Sequence, residues 1–318
     1  MTAVYFDMRR NDSPSTVAHL TTGAGTGQHV RQSNLFSVSE TGISIARGHG
    51  GMKIGSQATR GSAISASSAD AIVVRGHDLC RDLIGRISFT EHAWLLVTGG
   101  LPAEGQRRML DAALVAIAEH GLVPSVAAAR MTLAAAPESL QGAVAAGLLG
   151  CGSVILGSAE AAARFLGDLL GRAGGGNPDA AASAMLVEAR EARRAVPGYG
   201  HPLHKQADPR VARLFDIARE TGVAGRHVDA ALRVEKLLPA ISGKPLVLNV
   251  SGAIAATLLD AGFPLLAVKG IPLLARTAGL VAHLLEEQER PIGFAIADTG
   301  AAGIAYDGPA PPGFVPSA

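Results

Sequence analysis

The residues with the most chemical potential lie in one short stretch, Val196 to Arg210, which reads VPGYGHPLHKQADPR. Gly198 and Gly200 allow a backbone to approach a ligand closely and to expose its N–H groups. His201 titrates near neutral pH and can therefore exchange a proton. Lys205 offers a point charge suited to a phosphate. Arg210, just after Asp208–Pro209, stands inside a helix start, where its planar fork can clamp a carboxylate. A bare Gly-x-Gly-His reads as a turn with a surface histidine; here the cations that follow it point to anion binding with proton transfer.

Such a stretch needs a scaffold, and the composition points to a helical one. Of 318 residues, 48% are hydrophobic but only 4% aromatic, and a core rich in Ala and Leu favours helices over strands. The length suits two domains. Ser88-Phe89-Thr90-Glu91 has the form of a capping box, and Gly99 to Pro102 ends the helix it starts. Phe89 and Trp94 are expected in the core. A second helix runs from Ala103 to Glu119–His120, and a third, from Ser125 to Ala136, ends at Pro137. The Ala/Gly-rich stretch 139–170 permits close helix packing, and Gly174 to Asp179 link two helices. Val211, Leu214, Phe215 and Ala218 form one helix face. A long helix from Ile271 to Glu289 is expected to turn Leu273, Thr277, Leu280, Val281 and Leu284 inward. No alternating strand pattern and no internal repeat is visible, so the expected fold class is all-α.

The net charge of +1 removes the electrostatic case for nucleic acid or an anionic membrane as partner. Any anion site must be local. Cys80 and Cys151 show no CxxC spacing and are expected to be reduced packing thiols. No His/Asp/Glu group has ligand spacing, so no metal is expected. The N-terminal residues lack the apolar core of a secretory signal, and apolar runs break before the roughly 18 residues of a membrane span, so the expected location is cytoplasmic. Residues 1–70 are rich in Gly, Ser and Thr and are expected to form an arm or loop. Within them GAGTGQ (Gly23 to Gln28) lacks the Lys of a phosphate-binding loop. The tail from Pro309 is Pro-rich.

The fifteen residues from Val196 to Arg210 resemble the signature of the citrate synthase superfamily, Gly-Tyr-Gly-His followed by Asp-Pro-Arg. Other segments agree with it in order. Val74 to Pro102 resembles the family's early Arg-Gly and Gly-x-Leu-Pro region, and Ala118 to Arg130 its Asp-His-Glu segment, with Glu119 and His120 at the Asp and His positions. Leu248 to Leu259 resembles its Asn-Val-Asp region, Ala275 to His283 its Arg-x-x-Gly helix, and Glu289 to Gly293 the Arg-Pro that follows.

The resemblance implies a citrate synthase-like fold, with a large helical domain from residues 71–155 and 251–318 and a smaller one from 156–250, in a homodimer. It implies a carboxylate-binding set of His120, His201, Arg210 and Arg276, completed by Arg290 from the partner subunit. Coenzyme A would lie along Val196, Pro197, Gly198, Tyr199 and Gly200, with Lys205 near a phosphate. No tightly bound cofactor is implied; the CoA thioester is substrate or product. Two positions depart from the synthases. The histidine that polarises the acetyl carbonyl is Ile155 here, as in the citryl-CoA lyase-like proteins and the citrate-cleaving domain of ATP-citrate lyase, which Gly150 to Leu166 also resembles. The catalytic carboxylate is Ser251, whose hydroxyl accepts no proton at neutral pH without a neighbouring base; Glu119 or a water could supply one. The implied reaction is cleavage of a citryl-CoA-type 3-hydroxy-3-carboxyacyl-CoA to acetyl-CoA, or a homologue, and a 2-oxo acid. The alternatives are the reverse condensation and a catalytically silent homologue that binds the same ligands.

Overall fold

The computed structural model describes residues 61–152, 156–201 and 204–313. Ile155, the Gly23 to Gln28 stretch and the last five residues lie outside that range. The described residues form eleven α-helices: α1 (Phe89–Thr98), α2 (Glu104–Ala118), α3 (Pro124–Ala135), α4 (Leu140–Leu149), α5 (Ser158–Ala173), α6 (Pro178–Glu191), α7 (Pro209–Glu220), α8 (Arg226–Ser242), α9 (Val250–Asp260), α10 (Gly270–Glu289) and α11 (Gly293–Ala302). The mostly helical class is as expected.

Helix boundaries follow the local chemistry. Ser88 Oγ accepts from the Glu91 N–H, and Glu91 accepts from the Ser88 N–H at 2.7 Å, closing the capping box that starts α1. Gly99, at φ 88°, ends it. Asn177, Asp208 and Asn249 cap α6, α7 and α9 by accepting first-turn N–H groups, each worth about 1 kcal/mol. In α9 every residue from Val250 to Leu258 is buried, because α2, α5, α7 and α8 all pack against it. Each of its fully buried large aliphatics, Ile254 and Leu258, contributes about 1.5–3 kcal/mol. A second apolar cluster, with Val126, Leu133, Leu280 and Leu284, joins α3, α4 and α10. Gly279 lets α10 touch the end of α2: a Cβ there would run into the Ala118 carbonyl.

Five expectations need correction. Residues 65–78 carry a small antiparallel sheet, β1 (Ser65–Ser67), β2 (Ile72–Val74) and β3 (His77–Asp78), in the order β1-β2-β3 with Ser65 opposite Val74 and Val73 opposite Asp78. Its strands are so short and exposed that no alternating pattern marks them. Phe89 is 67% exposed, because the first residue of α1 faces away from the core that buries Trp94 against Phe263. Val281 is exposed rather than inward, and Cys80 is an exposed free thiol, so only Cys151 packs. Leu265–Glu289 is long and apolar enough to cross a membrane, with a mean hydropathy of 1.5. Its α10 portion packs against α2, α3 and α4 and buries two ionisable side chains, Arg276 and Glu287.

Candidate active site

A cavity of about 710 Å³ opens where the loop from Ala195 to His201 meets the end of α2, the first turns of α5, α7 and α9, and Arg276 of α10. The glycines of the signature set this geometry. Gly198 and Gly200 both sit at φ 86°, a region that costs an L side chain roughly 1 kcal/mol or more. A Cβ on Gly198 would also come within 2.9 Å of the Gly252 Cα. The loop is therefore pressed onto α9 and pinned there. Asn249 N–H donates to the Gly198 carbonyl, Gly200 N–H to Val247, and the Asn249 side chain to the Gly200 carbonyl at 2.8 Å. Tyr199 OH donates to the Ala231 carbonyl at 2.8 Å, and burial pushes its phenol pKa up. Val196, Pro197, Gly198, Tyr199 and Gly200 all line the cavity. Lys205 does not; its Nζ donates to the His201 carbonyl at 3.1 Å, on the outside of the loop.

The polar wall is cationic. His120, His201, Arg210 and Arg276 line it, and among the described lining residues there is no Asp or Glu. Arg276 is 2% exposed, and its Nε and Nη1 have no hydrogen-bond partner; Nη2 reaches only the Ile117 carbonyl at 3.3 Å. Glu286 and Glu287, further along the same helix, are held by Arg130. Arg210 closes its fork on Asp208, Nε to Oδ1 and Nη2 to Oδ2 at 2.9 Å each, and Nη1 takes no part. Burial opposes ionisation of Asp208, but Arg210 and the N–H groups of Arg210 and Val250 outweigh it and hold the carboxyl below its usual range.

Burial lowers the pKa of both cavity histidines. For His120, Arg210, His204 and Arg276 add to the effect; for His201, His204, Arg210 and His120 do, against Asp208. His201 Nδ1 accepts the His204 N–H at 3.0 Å, which leaves the ring proton of neutral His201 on Nε2. His204 is half-buried beside His201, with ring centroids 4.4 Å apart. The only sequence signal was its spacing, three residues after a histidine in a Gly-rich turn. The ring nitrogens of His120, His201 and His204 lie within 4.8 Å of one another, a trio that sequence spacing conceals. A cation could be gathered there, but Arg210 and Arg276 tip the local field toward anions.

Ser251, 9% exposed, accepts a hydrogen bond from Ser158 Oγ at 2.9 Å, and both hydroxyls line the cavity. Glu119 does not serve Ser251. Its carboxylate pairs with His283 at 3.0 Å, accepts the N–H groups of His120 and Gly121, and lies 4.0 Å from Arg276 Nη1. Burial opposes its charge, and these hydrogen bonds outweigh the penalty and hold its pKa down. Arg290 lies outside this cavity, 80% exposed on its side chain.

Imidazoles, guanidiniums and hydroxyls round a cavity with no carboxylate among its described lining residues are groups that can hold an anion and pass a proton, on a helical scaffold. Residues 102–293 match the family model described as the citrate synthase C-terminal domain, and the chain belongs to that family. Among solved structures it is similar to citryl-CoA lyase from Hydrogenobacter thermophilus, with 36% identity and a TM-score of 0.71 over 80% of this chain and 97% of that one. It is also similar to a variant of Methanosaeta concilii ATP citrate lyase in complex with (3S)-citryl-CoA, with 25% identity and a TM-score of 0.65 over 81% of this chain and 43% of that one. A curated relative, ATP-citrate synthase beta chain protein 1 of Arabidopsis thaliana, is 27% identical over 199 residues, 57% of this chain. The chain spans about a third (31%) of that relative's length.

Proposed function

We propose that this protein is a carbon–carbon lyase that cleaves a citryl-CoA-type thioester to acetyl-CoA, or a homologue, and a 2-oxo acid. The observation that carries the reading is Arg276. A guanidinium buried to 2%, with two nitrogens lacking a hydrogen-bond partner and only Glu119 at 4.0 Å as counter-charge, is costly unless a ligand supplies closer partners. A polycarboxylate in the adjoining cavity does so, with His120, His201 and Arg210 beside it. The similarity to proteins named for citryl-CoA cleavage and citryl-CoA binding supports the same substrate class. In cleavage, His201 donates through Nε2 to the tertiary oxygen while His120, kept neutral by its surroundings, takes the hydroxyl proton. The carbon–carbon bond breaks toward the thioester, and the resulting enolate carbon takes up a proton to give the acyl product. Condensation would begin by removing a proton from the acetyl methyl group. The described cavity wall offers no carboxylate for that proton in either direction, so water must carry it, and the energetics of the CoA thioester rather than the residues set the direction.

The smaller domain would be residues 156–250, closing on 71–155 and 251–318 with the cavity between them. A homodimer is supported by apolar side chains left exposed on the helices round α3: Leu140 and Leu149 of α4, Val281 and Leu285 of α10, and Phe294 of α11. Arg290 is exposed on the same group of helices, and its proposed place is in the partner's cavity. Light scattering is expected to give a dimer, and a fully active monomer would remove Arg290 from the site.

Synthetic citryl-CoA incubated with the protein should yield a CoA thioester and oxaloacetate, and His201→Ala should lower the rate by about 100-fold or more. Thiol release from acetyl-CoA and oxaloacetate would instead identify a condensing enzyme. Ligand-dependent thermal stabilisation without turnover would identify a binding protein.

A further inference from the structure

Ser158 and Ser251 are 93 residues apart in the chain, yet their hydroxyls meet on the cavity wall. Each belongs to the first turn of a helix, α5 and α9, and these two helices pack against each other. First turns carry partial positive charge. That of α5 has no side-chain cap, and it is entered through Leu156, a cavity residue held at φ 64° where a leucine is strained. The second sign of a ligand is independent. Arg276, in the same wall, is buried with two guanidinium nitrogens unpartnered. Since Ser158 donates to Ser251, the Ser251 oxygen is already an acceptor, and its own proton remains to be donated. This wall offers hydrogen-bond donors and positive potential, and no described group on it can act as a strong base.

We propose that the Ser158–Ser251 pair binds the thioester carbonyl oxygen of the acyl-CoA substrate and stabilises the negative charge that forms on it. The proposal rests on the lyase reading and deepens it. When the bond between the hydroxyl-bearing carbon and the methylene carbon breaks, its electron pair moves into the acyl group and the thioester oxygen becomes an enolate oxygen. Ser251 donates a hydrogen bond to that oxygen and keeps its proton. The methylene carbon then takes a proton from water, and the hydroxyl proton, already on His120, returns to solvent. Ser158 is a positioning residue: its hydrogen bond fixes the Ser251 rotor so that the remaining proton points at the ligand. Donors already in place where charge develops are among the largest contributors to catalysis.

The test is isotope-edited infrared spectroscopy of acetyl-CoA labelled with carbon-13 at the carbonyl, bound to the full-length protein with oxaloacetate present. In the parent protein the carbonyl band should move to lower frequency than in water. Ser251→Ala should remove that displacement, Ser158→Ala should reduce it, and Ser158→Thr should restore it. Citryl-CoA cleavage should fall on the order of 100-fold in kcat for Ser251→Ala and about tenfold for Ser158→Ala, with KM little changed. Thermal stabilisation by citrate should persist in each variant, showing an intact fold and carboxylate pocket. An unchanged band displacement in Ser251→Ala, with citryl-CoA still cleaved by the parent, would overturn the serine assignment and leave the lyase reading standing. A displacement lost in Ser251→Ala, in a parent that cleaves no citryl-CoA, would keep the carbonyl contact and remove the lyase reading. A parent that binds no acetyl-CoA would overturn both.

Discussion

Arg130 on α3 and Arg276 on α10 are equally buried, at 2% exposure, and are treated by the fold in opposite ways. Arg130 donates from Nε to Glu287 at 2.6 Å, from Nη1 to Glu286 at 2.7 Å and from Nη2 to the Arg290 carbonyl at 3.1 Å. Glu287 in turn accepts the N–H groups of Ile292 and Gly293 and so starts α11; burial opposes its charge, but Arg130 and those N–H groups outweigh it and hold its pKa down. Arg276 has one backbone carbonyl and a carboxylate at 4.0 Å. Both arginines lose their hydration on folding. One recovers the cost within the protein, and the other is where the proposed function places an anion.

Making the same substitution at both positions tests that contrast most severely. Arg130→Met leaves Glu287 buried without its counter-charge and should cost roughly 3–5 kcal/mol in urea unfolding. Arg276→Met removes a poorly partnered buried charge and should leave the ligand-free protein as stable as the parent, or more stable by up to about 4 kcal/mol. Equal losses at both positions would dissolve the distinction. The next largest effect belongs to the ligand. Citrate at 100 times its Kd should stabilise the parent by about 2.7 kcal/mol and should give Arg276→Met no stabilisation, as read by thermal shift.

The smallest effect is in pH. The lowered pKa values of His120 and His201 mean that the unfolded chain takes up protons first. Their contribution to stability is therefore complete above the ordinary histidine value near 6.5 and is lost as pH falls below it, through the folded-state values. A bound polycarboxylate raises those values again. Citrate binding should thus take up protons and strengthen as pH falls from about 8 to 6. Calorimetry in two buffers of different ionisation enthalpy checks this, and proton release on binding would exclude the two histidines from the carboxylate pocket.

What could be read from the sequence was whatever is encoded locally. The Ser88–Glu91 box, the face of α7 and the Val196 to Arg210 loop each need only a few neighbouring residues, and each is found where its pattern places it. What escaped depends on residues far apart in the chain. Ser158 acquires its meaning from Ser251, and Arg130 from Glu286 and Glu287. His204 could have been noticed as His-x-x-His, but its closeness to His120 arises only when α2 and the signature loop are packed together. Arg210 and Asp208 are near neighbours in sequence, yet their mutual pairing, which engages two of the three guanidinium nitrogens, depends on a backbone turn that composition does not reveal. Phe89 failed for a simpler reason: hydrophobicity says that a side chain prefers burial, not which way the first residue of a helix points.

The buried carboxylate of Asp208 has a consequence for how the protein tolerates change. It accepts from Arg210 and, at 3.0 Å, from the N–H of Val250, so it starts one helix and steadies the first turn of another 42 positions away. Both helices carry cavity residues. A mutation at Asp208 would therefore not tune the site; it would remove the joint between two of its walls. Lineages that drift in specificity are expected to do so through residues that hold nothing up, such as Leu122 and Ala161 on the rim, while this acid stays fixed.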